Sequence, residues 1–210
     1  MNDFTIKSRG FTLVETMIAV TIVTLSVAGP LYGASRAFVA AEISRDHLIA
    51  SYLAQEGIEY VREMRDDEYL AAYKASGPNV SDNAWNYFLN GGGSNPSATI
   101  SSCRTALTYC TLDPFASMGT GPMYSLQTCS PRSSCTTTPL YLSSAGTYTQ
   151  QTSSGTKTIF TRTIQAVSVP GAPVDALGNP VDVRIVSMVT WDFQGTLYTV
   201  TTTDHLTPWQ

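Results

Sequence analysis

Lys7-Ser8-Arg9-Gly10-Phe11-Thr12-Leu13-Val14-Glu15 decides the reading of this chain, together with the apolar run that follows as far as Ser35. Glu15 is the only charge in residues 11–35. That segment exceeds the roughly 20 apolar residues a helix needs to cross a bilayer. A carboxylate near its start is expensive in hydrocarbon and so marks a functional position. Lys7 and Arg9 precede the run and the next cation is Arg36. That bias orients the N-terminus to the cytoplasm and the bulk of the chain to the far side.

A secretory signal places a small-residue cleavage site after its apolar core. Here the break signal, Gly10-Phe11, comes before the core. Cutting there removes the two cations and leaves the apolar helix on the mature chain. A plain signal anchor whose Glu15 snorkels to the interface is the simpler alternative. Such an anchor has no need of Gly-Phe ahead of the carboxylate.

Beyond Ser35 the pattern becomes one-sided. Ala50, Leu53, Ala54, Gly57, Ile58, Val61 and Met64 recur at three and four residues, which is one helix face. Arg45, Asp46, Glu56, Glu59, Glu63 and Asp66 occupy the other. The spacing predicts one helix over residues 11–75, membrane-spanning in 11–35 and amphipathic in 36–75. It ends near Lys74, ahead of the stop signal Gly77-Pro78. Such a helix is roughly 95 Å long at 1.5 Å per residue, a length suited to a core of packed helices. Gly29-Pro30 interrupts its apolar half, and Pro30 removes a backbone hydrogen bond, so a kink or local melting is expected there.

Residues 76–156 carry only four charges, Asp82, Arg104, Asp113 and Arg132, among Ser, Thr, Gly, Asn and Pro. Poor periodicity predicts a loop-rich region. It holds all the cysteines, Cys103, Cys110, Cys129 and Cys135. In an exported segment an even cluster reads as two disulfides, and three pairings stand open. Zinc is the weaker reading, because no C-x-x-C and no intervening histidine occur. Residues 157–210 turn to strands. Val181, Val183, Ile185, Ser187, Val189, Trp191 and Phe193 alternate along a half-buried strand, Gln194-Gly195 turns the chain, and a Thr/Tyr/Val-rich segment returns. An antiparallel sheet on the exposed half of the helix buries both apolar faces. The chain is thus one membrane-anchored domain.

The hexapeptide Gly10-Phe11-Thr12-Leu13-Val14-Glu15 resembles the G-F-T-L-x-E block in the class III leader of type IV prepilins and pseudopilins. The resemblance is close over residues 7–60 and rests on pattern alone beyond. It implies an α+β pilin fold: long N-terminal helix, variable linking region, antiparallel sheet. It implies that residues 1–10 are a leader removed after Gly10 by a membrane aspartyl prepilin peptidase. It implies N-methylation of Phe11, and a Glu15 that neutralises the amino terminus of a neighbouring subunit. The implied partners are other pilin subunits through helix packing, the peptidase, an inner-membrane assembly platform of a pilus or type II secretion system, and lipid before assembly. The implied location is a single-pass membrane protein with an exported C-terminal domain, in an extracellular or periplasmic filament after assembly. The tail Asp204-His205-Leu206-Thr207-Pro208-Trp209 is similar to those of PilV-like minor pilins.

The net charge of −4, with no cluster of five Lys/Arg, disfavours a nucleic-acid surface. No catalytic pattern occurs: His47 and His205 belong to no H-E-x-x-H or triad motif, so no enzyme is expected. Gly91-Gly92-Gly93 lacks the lysine of a phosphate loop and reads as a turn. The run Glu63 to Glu68 reads as a solvated face, with a subunit contact through Arg62 or Arg65 as the sharper alternative. Asp175 and Asp182 flank a Gly-Asn-Pro loop that reads as a turn, and calcium is the one cofactor it suggests. Asn79-Val80-Ser81 fits a glycosylation sequon.

Overall fold

The computed structural model describes residue 10 and residues 12–75, 77, 79–93, 98–105, 107–114, 124, 126–129, 135, 139–150 and 155–208. Lys7, Arg9, Phe11, Phe115 and Trp209 lie outside the described residues.

The first element, α1, runs over Leu13–Ala75. It is helical through Gly29 and Pro30, so the expected melting at that pair is not observed. The chain divides into two compact units, Met1–Asp46 and His47–Gln210. In the first, the large apolar side chains of α1 from Leu13 to Phe38 are exposed. Hydroxyls in this stretch bond back to the preceding turn: Thr16 to the Leu13 carbonyl, Thr21 to Ile18, Thr24 to Thr21 and Ser26 to Val23, all at 2.7–2.9 Å. Each polar group is thereby satisfied inside the helix, as hydrocarbon requires. Asp46, read from the sequence as surface charge, is instead buried and paired with Arg45.

In the second unit the stripe Ala50, Leu53, Ala54, Ile58, Val61 and Met64 is buried throughout. It faces a five-stranded antiparallel sheet of order β2-β1-β6-β7-β8. The strands are β1 Tyr109–Leu112, β2 Leu126–Cys129, β6 Thr161–Ser168, β7 Val183–Phe193 and β8 Thr196–Leu206. A second sheet, β4-β3-β5, joins β3 Tyr141–Ser143, β4 Tyr148–Thr149 and β5 Gly155–Lys157. Along β7, burial alternates as the sequence pattern requires. The β7–β8 hairpin closes through Gln194 and Gly195, both with positive φ (53° and 80°). That is the turn whose twist matches paired strands, and Asp192 accepts the Gly195 N–H at 3.1 Å.

Residues 76–156 are more ordered than their composition suggests. They contain a second helix, α2 Val80–Asn90, a 3-10 turn at Ser101–Cys103 and strands β1 to β4. The helix buries Ala84, Trp85, Phe88 and Leu89, a spacing of one, three and one residues that puts all four on one face. The strands escaped notice because they are short and take burial from the molecule around them. Leu112 and Cys110 are fully buried, though β1 has only four residues. The disulfides join Cys103 to Cys110 and Cys129 to Cys135, the two local pairings.

Helix and sheet come close together at Gly57. A Cβ there would lie 2.6 Å from Ser187 Oγ and 2.8 Å from Ile164 Cδ1. No side chain fits there unless Ser187 and Ile164 shift. Gly57→Val is expected to destabilise the second unit by about 1–3 kcal/mol through overpacking. Thermal unfolding of the full chain in detergent, followed by near-ultraviolet circular dichroism, measures this; an unchanged midpoint would show that the helix does not rest on the sheet at this residue.

Candidate functional site: the head of the long helix

The head of α1 is built by Thr12. Its Oγ1 accepts the Glu15 N–H at 3.3 Å, which makes Thr12 the cap and Glu15 the third helical residue. Thr12-x-x-Glu15 is the sequence form of a capping box. Only one half of the box is made. Among the described residues the Glu15 carboxylate forms no hydrogen bond and no ion pair, and the residue is exposed. It stands at the positive end of the helix dipole. It heads the one described helix long and apolar enough to cross a membrane. At the far end of the apolar run, Arg36 donates from Nε to the Tyr32 hydroxyl at 3.1 Å and lies 5.3 Å from the centre of that ring. An aromatic and a cation together suit a membrane boundary.

The cleavage site is only partly described: Gly10 is exposed with open space around its Cα, and Phe11 lies outside the described residues. The leader cations Lys7 and Arg9 lie outside as well.

The Glu63 to Glu68 run is a solvated face only in part: Glu63 is exposed, but other members are not. Met64 is fully buried, Glu68 is 1% exposed, and Asp67 accepts a short hydrogen bond from the Tyr124 hydroxyl. Burial and then the Asp67 carboxylate push the Tyr124 phenol far above its ordinary pKa. Nor are Arg62 and Arg65 held out for a neighbour. Arg62 bonds Asp204 at 3.0 Å and also Glu59, and its pKa is raised first by the Asp204 bond. Arg65 pairs with Asp66 at 2.8 Å and donates to the Thr207 carbonyl.

The remaining candidates are separate. Asp175 accepts from the backbone N–H of Leu177 at 2.9 Å and of Asn179 at 2.7 Å, which is turn chemistry. Asp182 pairs with His205 Nδ1 at 2.8 Å instead of joining Asp175. His47 packs edge-on against Trp191 and Tyr198, with ring centres 4.9 and 5.7 Å apart. Gly91 closes α2 by donating its N–H to the Tyr87 carbonyl, and Asn79 precedes α2 in left-handed geometry.

Sequence reasoning missed Arg162. It is wholly buried in β6 and reaches back to α1, donating to the Leu53 carbonyl at 3.0 Å and to Glu56 in a short ion pair; a third bond reaches the Leu112 carbonyl at 3.3 Å. The ion pair ties helix to sheet one residue before Gly57. No local pattern marks it, because a lone arginine between threonines reads as an outward residue of a strand.

A family model described as a prokaryotic N-terminal methylation motif matches residues 6–29. No curated protein and no solved structure matches the chain. The match covers the head of α1 and supports a type IV pilin-like protein with a class III leader, handled by a prepilin peptidase. It also suggests assembly with other pilin subunits and anchoring in a membrane. The fold agrees: a long N-terminal helix lies on an antiparallel sheet, and two disulfides close the linking region.

Removing Glu56 leaves a buried guanidinium short of its counter-ion, whereas removing Arg162 lets the half-exposed Glu56 return to water. Glu56→Ala is therefore expected to lower stability more than Arg162→Met. Urea titrations of the two variants check the order; the reverse order would mean that the arginine stem, rather than the ion pair, carries the contact.

Proposed function

We propose that this chain is a non-enzymatic structural subunit, of the minor-pilin kind, in a type IV pilus or a related filament. The observation that carries this reading is the Glu15 carboxylate: without a partner among the described residues, in the first turn of an apolar helix, inside a matched N-terminal methylation motif. Hydrocarbon cannot solvate it, so in the membrane it must be protonated or paired. A methylated amine on Phe11 of an adjoining subunit supplies the cation. At about 4 Å and an effective dielectric constant near 20, such a pair is worth about 4 kcal/mol of Coulomb attraction. The helix-dipole contribution of an exposed carboxylate is only about 0.3–1 kcal/mol, so capping alone is the weaker reason for a glutamate here.

The elements between α1 and β6 favour a minor subunit. They add a second helix and a small sheet to what the helix and β6–β7–β8 need for burial. A type II secretion pseudopilin is the nearest alternative, since the N-terminal features serve both machines. A tip adhesin or DNA receptor is the alternative of a different class, and the acidic balance of the chain argues against the DNA form.

Glu15→Gln and Glu15→Ala are expected to leave leader removal intact and to lower the abundance of the subunit in sheared filaments by at least about tenfold, the equivalent of some 1.4 kcal/mol. Quantitative immunoblots of filament and membrane fractions measure this. Wild-type abundance of Glu15→Gln in filaments would remove the charge pair from the account.

A further inference from the structure

The two edges of the five-stranded sheet differ. The β2 edge is four residues long and ends at Cys129, which the disulfide to Cys135 ties down. The β8 edge is eleven residues, Thr196–Leu206, and no described strand pairs with its outer side. Its register with β7 runs unbroken from Val183↔Leu206 to Phe193↔Thr196, so it carries no bulge. An edge strand presents unpaired N–H and C=O groups at alternate residues, and proteins blunt such edges with Lys, Pro, bulges or short length. β8 has no lysine and no proline; the first proline is Pro208, beyond its end. Its one carboxylate, Asp204, is already neutralised by Arg62 at 3.0 Å. The edge is long and regular, and among the described strands it is unpaired.

We propose that β8 pairs antiparallel with β8 of a second copy of this chain, about a two-fold axis at Thr201, joining the two sheets edge to edge. The residue pattern selects this partner and this register. Side chains alternate between faces, so only registers whose partner numbers sum to an even value keep both core-facing surfaces on one side. Of these, the register centred on Thr201 alone pairs all eleven residues. On the outer face it sets Thr201 against Thr201, Thr199 against Thr203 and the 70%-exposed Leu197 against His205. On the inner face Val200 meets Thr202, and Asp204 meets Tyr198. Cross-strand threonine pairs stabilise antiparallel sheets, and no like charges stand opposite one another. The register centred on Asp204, by contrast, would oppose two carboxylates. The pairing covers the open edge of subunits outside a filament, and it stands or falls independently of the Glu15 reading.

Thr201→Cys in the full-length chain, purified in detergent and mildly oxidised, tests it. The native cysteines are all bonded, so the introduced thiol reports alone. Directly opposed residues of an antiparallel pair have Cα atoms about 4.5–5.5 Å apart, within disulfide reach. A homodimer band is expected for Thr201→Cys and not for Val174→Cys, another exposed site, outside β8. Thr201→Lys opposes two cations and is expected to abolish the dimer seen in sedimentation, while a mixture of Thr201→Lys with Thr201→Asp restores it. Thr201 is exposed, so these variants keep the fold. The proposal is overturned by a monomeric Thr201→Cys, by equal cross-linking at Val174, by a Thr201→Lys dimer as abundant as wild type, or by a cross-link to a different protein.

Discussion

A charged carboxylate is costly in hydrocarbon, and the function proposed for this chain rests on that constraint at Glu15. The residue cannot retreat to water by moving along the helix, because Thr12 fixes where the helix begins. It cannot use its own capping box, because the reciprocal bond to the Thr12 N–H is not formed among the described residues. The rest of the apolar half has already settled its polar groups: threonine and serine hydroxyls bond back to carbonyls one turn earlier. What remains, among the described residues, is one acid without a partner on an apolar rod, which in the proposed reading another subunit completes.

The second unit solves a different problem with the same helix. From Ala50 to Met64, α1 buries a single stripe, and Gly57 lets the sheet come within contact of the helix backbone. Beside that close approach, where Ser187 and Ile164 already stand, a long, thin side chain threads past the helix. Arg162 does so and carries a charge into a fully buried place, where Glu56 and the Leu53 and Leu112 carbonyls receive it. Such a pair adds little net stability compared with an apolar substitute, but losing one partner is costly. Its effect is to hold one alignment of helix and strand. The aromatic group of Trp191, Tyr198, Phe160 and His47 packs the neighbouring stretch of the same interface.

Much of this was legible in the sequence, for identifiable reasons. The 3.6-residue stripe of α1 and the period-2 alternation of β7 are long and regular, and both came out with the expected faces buried. The head of α1 was legible because charge, glycine, aromatic and acid stand in fixed order over a few residues. The short strands β1 to β5 were not, since none is longer than four residues and their burial comes from distant segments. Helix α2 was readable from Ala84, Trp85, Phe88 and Leu89, but turn residues on both sides hid it. The charge run at residues 63–68 misled because surface composition stands in for burial only when no aromatic approaches; Tyr124, more than fifty residues away, does so here. Arg162 could not have been found at all, because its partners are assembled by the fold.

The most direct measurement is intact-mass and N-terminal peptide mass spectrometry of the chain recovered from the envelope of expressing cells. The account predicts a mature chain that starts at Phe11 and carries a methyl group on its α-amine, so that a fixed cation is delivered to the acid of the next subunit. A native chain that keeps its first ten residues, or starts at any other residue, would contradict it.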